Sequence, residues 1–317
     1  MNVLITGGTG FVGKYLQKEL LKNGHEVVVV TRNTKKYQMR RDVKFVAWNP
    51  LMEPTPQEAF TTISGNPIDV VINLLGENIS AARWSDDQKD KIYNSRILGT
   101  RNLVRGIEQH LKNDLDLFIS TSAVGIYEAN LPDELEESSI HGKGFLSRVC
   151  EDWETEANKL TKAKRTLITR VGVVFGSTGG ALEKLLPVFK LGGGGPIGNG
   201  KQIMSWIHVK DLVNIYIQAI GNENYKGIVN AVSPEVTTNK EFTKALAQAV
   251  GRPALFPVPP QMLKLIFGEM SSIILDSQNI KAKALSDLGH EFLYSNVFDA
   301  LSEIGQGVNF IGKPVTA

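Results

Sequence analysis

Apolar residues along this chain fall in short runs separated by amphipathic stretches. Val3, Leu4 and Ile5 make the first run, and Lys14 to Asn23 then reads as an amphipathic helix. After a Gly24-His25 break, Glu26 to Val30 (EVVVV) predicts a second strand and Val43 to Trp48 (VKFVAW) a third. Pro50, Pro54 and Pro56 punctuate a loop before a helix candidate at Gln57 to Ile63. Asp69 to Leu75 (DVVINLL) predicts a fourth strand. Asp87 to Gln109 carries Ile92, Ile97, Leu98, Leu103, Val104 and Ile107, the pattern of a long crossover helix. Asp116 to Ser120 opens a fifth strand, Glu151 to Leu160 lies in a helix, and Arg165 to Phe175 (RTLITRVGVVF) supplies a sixth. Strands separated by helices in this way predict an α/β fold with a doubly wound parallel sheet, in which ligands bind beyond the carboxyl ends of the strands.

After Phe175 the pattern changes. Gly176, Gly179, Gly180 and the run Gly192 to Gly195 mark loops around a helix candidate at Ala181 to Lys190. Ile203 to His208 and Gly227 to Ala231 read as short strands flanking a helix from Val209 to Ile220. Glu241 to Val250 is a further helix, Pro253, Pro257, Pro259 and Pro260 form a rigid connector, and the chain from Gln261 onward is mostly helical. The expected division is a nucleotide-binding domain at 1–175, with 203–232 returning to it, and a smaller, mostly helical C-terminal domain at 176–202 and 233–317. The smaller part is expected to act as a lid, with the glycine run as its hinge.

Candidate chemistry concentrates at the first strand-helix junction. Gly7, Gly10 and Gly13 stand three residues apart between strand and helix, and Gly8, Gly10 and Gly13 satisfy the dinucleotide spacing. Such a turn needs torsions that side chains forbid, a backbone that approaches a pyrophosphate, and a helix start packed on the strand. These are the needs of a Rossmann sheet. At the tip of the second strand, where an acidic residue grips the ribose hydroxyls of NAD, the chain has Thr31 and Arg32. Arg32 stands nineteen residues beyond Gly13, and a guanidinium there suits a 2′-phosphate, with Lys35 and Lys36 adding positive field. The expected cofactor is NADP(H).

Composition narrows the remaining options. The chain is 42% hydrophobic and 21% charged, as in a globular protein of about two domains. Lys plus Arg number 35 against 33 for Asp plus Glu, a formal net charge of +2 that gives no reason to expect nucleic acid or an anionic membrane as partner. A small-molecule substrate is expected instead. The single cysteine, Cys150, excludes an internal disulfide and a cysteine-based metal cage. The chain opens directly on a strand-like run and no apolar run approaches the roughly 18 residues of a membrane span, so a cytoplasmic location is expected.

The segments TGGTGFVG at the start, NLLGENI (Asn73 to Ile79), Arg83-Trp84 and NSRILGTRNL (Asn94 to Leu103) resemble the extended short-chain dehydrogenase/reductases, the NAD-dependent epimerase/dehydratase group. RVGVVFG (Arg170 to Gly176), LGGGGPIGNGKQIMSWIHVKDL (Leu191 to Leu212) and GIVNAVSPEVTTNKEF (Gly227 to Phe242) narrow the resemblance to an epimerase subfamily that ends in a domain of unknown function. The resemblance implies that Thr9, Phe11 and Val12 offer backbone amides to the pyrophosphate, and that Leu74, Leu75 and Gly76 line the adenosine side. It also implies that Arg96 faces the cofactor and that Val174 touches the nicotinamide end. Extended relatives are often dimers, so a homodimer is a further expectation.

For catalysis the pattern departs from the superfamily, which pairs a Ser or Thr after the fifth strand with Tyr-x-x-x-Lys on the next helix. Ser122 supplies the first element. The helix region from Gly144 to Glu154 contains no tyrosine and no lysine, with an apolar residue or Cys150 at the lysine's place. Two readings stay open. In one, the protein is an NADP-dependent oxidoreductase or epimerase whose proton moves through Tyr127, through His208 or Asp211, or through Glu77. In the other, it binds NADP(H) without turnover as a regulatory module.

Overall fold

The computed structural model describes residues 1–37 and 40–307. Its elements run β1 (Asn2–Thr6), α1 (Phe11–Lys22), β2 (Glu26–Thr31), β3 (Val43–Ala47), β4 (Val70–Asn73), α2 (Asp86–His110), β5 (Leu117–Ala123), α3 (Phe145–Ala157), β6 (Thr166–Val171) and β7 (Val173–Phe175). There follow α4 (Ala181–Lys190), β8 (Trp206–His208), α5 (Val209–Gly221), β9 (Gly227–Ala231), α6 (Asn239–Ala249), α7 (Pro260–Phe267), α8 (Ser272–Leu275), α9 (Lys283–Asp287) and α10 (Val297–Gly307).

Seven strands form the main sheet in the order β3-β2-β1-β4-β5-β6-β9. Its strands are Val- and Ile-rich on both faces, and Val27 to Val30 and Val70 to Ile72 are all buried, as parallel strands covered by helices on either side require. Parallel pairing sets Leu4 opposite Val28 on one flank and Val71 on the other. The chain therefore winds outward from β1 through β3 and then returns to β4, which makes the β1–β4 boundary the switch point where a doubly wound sheet opens a crevice. Leu4, Val28, Val71, Leu103, Ile107, Phe118 and Ile168 form the core on one face.

Two expected elements differ. The run Arg165 to Phe175 is not one strand but two, broken at Gly172. There the backbone N–H donates to Ala231 O at 3.1 Å, while Val173 N donates to Ser205 O at 2.9 Å, so the chain changes partners. A Cβ at 172 would stand 2.7 Å from Ser205 O, which leaves room only for glycine. β7 then pairs with β8 in a sheet of its own. The helix expected at Gln57 to Ile63 is a single 3-10 turn, Gln57–Phe60. Lys44 Nζ takes the carbonyls of Glu58 and Thr61, and Thr61 bridges to Pro67, so the backbone groups needed for another turn are already used. The stretch Glu151 to Leu160 lies in α3 as far as Ala157.

The chain forms two compact units. The first comprises 1–126, 141–170 and 213–229; the second comprises 127–140, 171–212 and the chain from Asn230 onward. Tyr127–Ile140 and 171–175 thus fall in the second unit, and α5 falls mostly in the first. The second unit has its own core, in which Phe175 stacks between Trp206 and Phe242 at 5.3 and 5.2 Å and Leu182, Leu246, Ala300 and Leu301 pack around them. Its α6 is opened by a capping box between Thr238 and Glu241.

Candidate nucleotide-binding site

The turn after β1 is closed by Gly10 N donating to Gly7 O at 3.0 Å. Gly7 has φ +65°, and a Cβ there would come within 2.4 Å of Leu74 O. At Gly13 a Cβ would lie 2.4 Å from Gly8 O, so α1 rests directly on the loop. α1 begins after Gly10, which has no side chain to cap it, and its first turn carries no acidic residue. The amides of Phe11, Val12 and Gly13 are left without helical partners at the positive end of the helix, an arrangement that holds an anion. Gln17 braces the loop from below by donating to Gly8 O at 2.7 Å.

At the end of β2, Thr31 is half-buried and Arg32 exposed. Among the described residues Arg32 has no hydrogen-bonding or ionic partner. Arg40, the next arginine, is committed: it pairs with Asp42 at 2.8 Å and reaches Gln17 at 3.3 Å. Lys35 and Lys36 are exposed on the 3-10 turn Thr34–Tyr37 between them.

Where β4 ends, Asn73 gathers a buried polar cluster. Its Oδ1 accepts from Thr6 Oγ1 at 2.7 Å, and its Nδ2 donates to Thr100 and Ser120 at 2.9 and 3.2 Å. This fixes the carboxyl ends of β1, β4 and β5 against α2. Leu74 and Leu75 are half-buried beyond it and Gly76 is exposed. The half-buried Arg96 reaches in from α2, donating through Nη1 to Glu77 O and Ile92 O at 3.0 Å, with its guanidinium 5.1 Å over the Trp153 ring. No carboxylate pairs with it among the described residues, and desolvation pulls its pKa below the usual arginine value.

The glycine turn, the helix seated on it and the switch point are those of dinucleotide-binding doubly wound sheets in general, and sequence comparison narrows the group. A model of the NAD dependent epimerase/dehydratase family matches residues 3–231, well over half of the chain. The chain belongs to that family. A second model, for a domain of unknown function (DUF1731), matches residues 258–304. An epimerase family protein SDR39U1 homolog, described as chloroplastic, from Arabidopsis thaliana is 36% identical, over 96% of this chain and 87% of the relative. The epimerase family protein YfhF of Bacillus subtilis is 35% identical, over 96% and 98%. Among solved structures, human epimerase family protein SDR39U1 with NADPH aligns with a TM-score of 0.86 at 30% identity, over 97% of this chain and 100% of that one.

α3 contributes a carboxylate to a buried polar cluster. Glu154 is buried and receives Ser122 Oγ–H at 2.6 Å together with two bonds from Arg170, Nε and Nη2 each at 2.9 Å. Arg170 Nη2 also meets His141 Nε2 at 3.3 Å, and His141 Nδ1 meets Glu151 at 2.8 Å. A guanidinium only donates, so Nε2 is the acceptor in that contact. Cys150 lies buried beside Ser122, and burial pushes its thiol up to about 11. Phe145, Val149 and Trp153 complete the helix's apolar side with Ile97.

The first unit thus collects Gly7 to Gly13, Thr31, Arg32, Leu74 to Gly76, Arg96 and Ser122. The second unit holds Val174, Tyr127 and His208. Val174 is half-buried on β7 opposite Ile207. Tyr127, 3% exposed, donates its phenol to Asn230 at 2.7 Å. His208 is buried against the Tyr294 ring at 4.2 Å, accepts Lys210 N at Nδ1 and turns Nε2 toward Glu303 at 3.2 Å. Asp211 accepts the backbone N–H groups of Leu293 and Tyr294. Sequence reasoning missed Glu154, Arg170 and His141. The first two left a signal: each is a charged residue set in an otherwise apolar stripe, on α3 and on β6 respectively.

Proposed function

We propose that this protein binds NADP(H) through its first unit, and that it does so as a dinucleotide-binding module rather than through the tyrosine–lysine chemistry of its family. Arg32 carries the cofactor reading. It is exposed, without an ionic partner among the described residues, and it stands where NAD binding calls for a carboxylate. The NADPH in the human relative supports the same choice. Thr9, Phe11 and Val12 would take the pyrophosphate, and Leu74 to Gly76 with Arg96 would take the adenosine side. Fluorescence titration tests this: NADPH should bind more tightly than NADH, and Arg32→Asp should erase or reverse the preference. Equal or tighter NADH binding by the natural chain would sink it.

The non-catalytic reading rests on the commitments of the candidate proton donors. Ser122 donates its hydroxyl hydrogen bond to Glu154, Tyr127 donates its phenol hydrogen bond to Asn230, and His208 is buried. An imidazole buried in this way is neutral near pH 7 and is a poor acid. A second reading, an oxidoreductase or epimerase of unknown small-molecule substrate, draws support from a solved relative described as a nucleoside-diphosphate sugar epimerase. That relative, from Corynebacterium glutamicum, is 30% identical over 96% of this chain but only 58% of its own. Steady NADPH consumption with any member of a carbonyl or sugar-nucleotide panel would favour the second reading over the first. The buried cysteine suits a reducing compartment such as the cytoplasm.

A further inference from the structure

The exposed apolar side chains of the second unit are not scattered singly over its surface. Leu255 and Phe256 are 72% and 79% exposed, and they stand between Pro253 and Pro257, where restricted torsions hold the pair outward. α7 follows immediately with Met262, Leu265 and Ile266 exposed, and of its eight residues only Leu263 is buried. Five exposed apolar side chains within the twelve residues from Leu255 to Ile266 mark an interaction surface.

Charge around it has one sign. Lys240, Lys244 and Arg252 line, together with Leu255, a shallow cavity of about 610 Å³ that has no acidic side chain in its wall. All three cations are exposed and none is in an ion pair among the described residues. Lys244 lies 5.9 Å over the Phe298 ring. From Val250 to Gly268 there is no Asp or Glu, and the only charge on α7 is Lys264. Of the acids next to this stretch in sequence, Glu241 is turned to the Thr238 cap, and Glu269 lines a different cavity together with Lys264.

We propose that this face docks on an anionic lipid surface. Leu255, Phe256, Leu265 and Ile266 enter the boundary between headgroups and acyl chains, while Lys240, Lys244 and Arg252 meet lipid phosphates. A bilayer accepts an exposed apolar segment with cations beside it, because apolar burial and attraction to anionic headgroups add. A second copy of this chain fits less well, since a twofold contact through this segment would bring like charges together. The small whole-chain charge of +2 conceals this asymmetry, because it averages over acids located elsewhere.

Sedimentation of the full chain with vesicles tests the proposal, comparing phosphatidylcholine alone with a mixture containing roughly one third phosphatidylglycerol. Binding to the anionic vesicles is expected, with little to the neutral ones. Lys240→Gln and Arg252→Gln should each weaken it about fivefold, and raised salt should weaken it further. The double variant Phe256→Ser/Leu265→Ser should abolish it while keeping its melting temperature, since both side chains face solvent. Equal binding to both vesicles, or none to either, overturns the proposal. Dissociation of an oligomer by the double variant, without vesicle binding, would assign the face to self-association. Binding to poly-glutamate that matches the vesicles and survives the double variant would reduce the effect to charge alone.

Discussion

Glu154 is the residue on which the polar interior of the first unit turns, because it satisfies a hydroxyl and a guanidinium together. Ser122→Ala removes one charge-assisted bond and leaves the carboxylate paired, so a loss of about 1–2 kcal/mol is expected in urea unfolding. Glu154→Gln deprives buried Arg170 of its counter-charge and should cost about 3–5 kcal/mol. Equal losses from the two changes would show that the ion pair is not the dominant partner. The exposed place of Arg32 at the end of β2 could be read from sequence, because it depends only on local spacing from the glycine turn. Glu154 showed in sequence only as a charge in an apolar stripe; its partners did not, since Ser122 on β5 and Arg170 on β6 are brought to it only by the folded sheet.

The seating of α1 on its glycine loop can be probed by one methyl group. Gly13→Ala would place a Cβ about 2.4 Å from Gly8 O, forcing the helix away from the loop. NADPH affinity should fall by roughly tenfold or more in titration, because displaced amides no longer converge on the pyrophosphate. An affinity within twofold of the natural chain would contradict this geometry. Periodicity located most elements well: α4 spans the expected Ala181–Lys190, and the long crossover helix runs Asp86–His110. It failed where tertiary partners override local pattern. Nothing within RTLITRVGVVF signals that Ser205 and Ala231 capture the two sides of Gly172, and nothing within Gln57 to Ile63 signals that Lys44 takes its carbonyls.

For the whole molecule, acid should act first through His208. Burial, with Lys210 adding to it and Glu303 opposing, lowers its pKa from 6.5 to about 4. The unfolded chain takes up a proton near pH 6.5 that the folded chain refuses until about pH 4. Stability from this group is therefore complete above pH 6.5 and declines as pH falls toward 4, by at most about 3 kcal/mol. Asp211 acts in the opposite sense at the acid end, because burial raises its pKa. Melting temperatures measured from pH 7 to 4 should fall, and His208→Gln should flatten the slope. An unchanged slope in that variant would assign the acid sensitivity to other groups.

The threading of the chain limits how this protein can be cut. It passes from one compact unit to the other five times, so each unit is assembled from three separate stretches. A fragment ending at Phe175 would lack α5, whose Tyr216 hydroxyl meets Thr121 and Thr169 at 3.2 and 3.3 Å, and it would lack β9, the strand that covers the edge of β6. Such a fragment exposes a raw strand edge and invites association with other chains. The nucleotide-binding half is therefore not a severable module, and a premature stop anywhere before residue 231 leaves its sheet unfinished rather than merely without its neighbour.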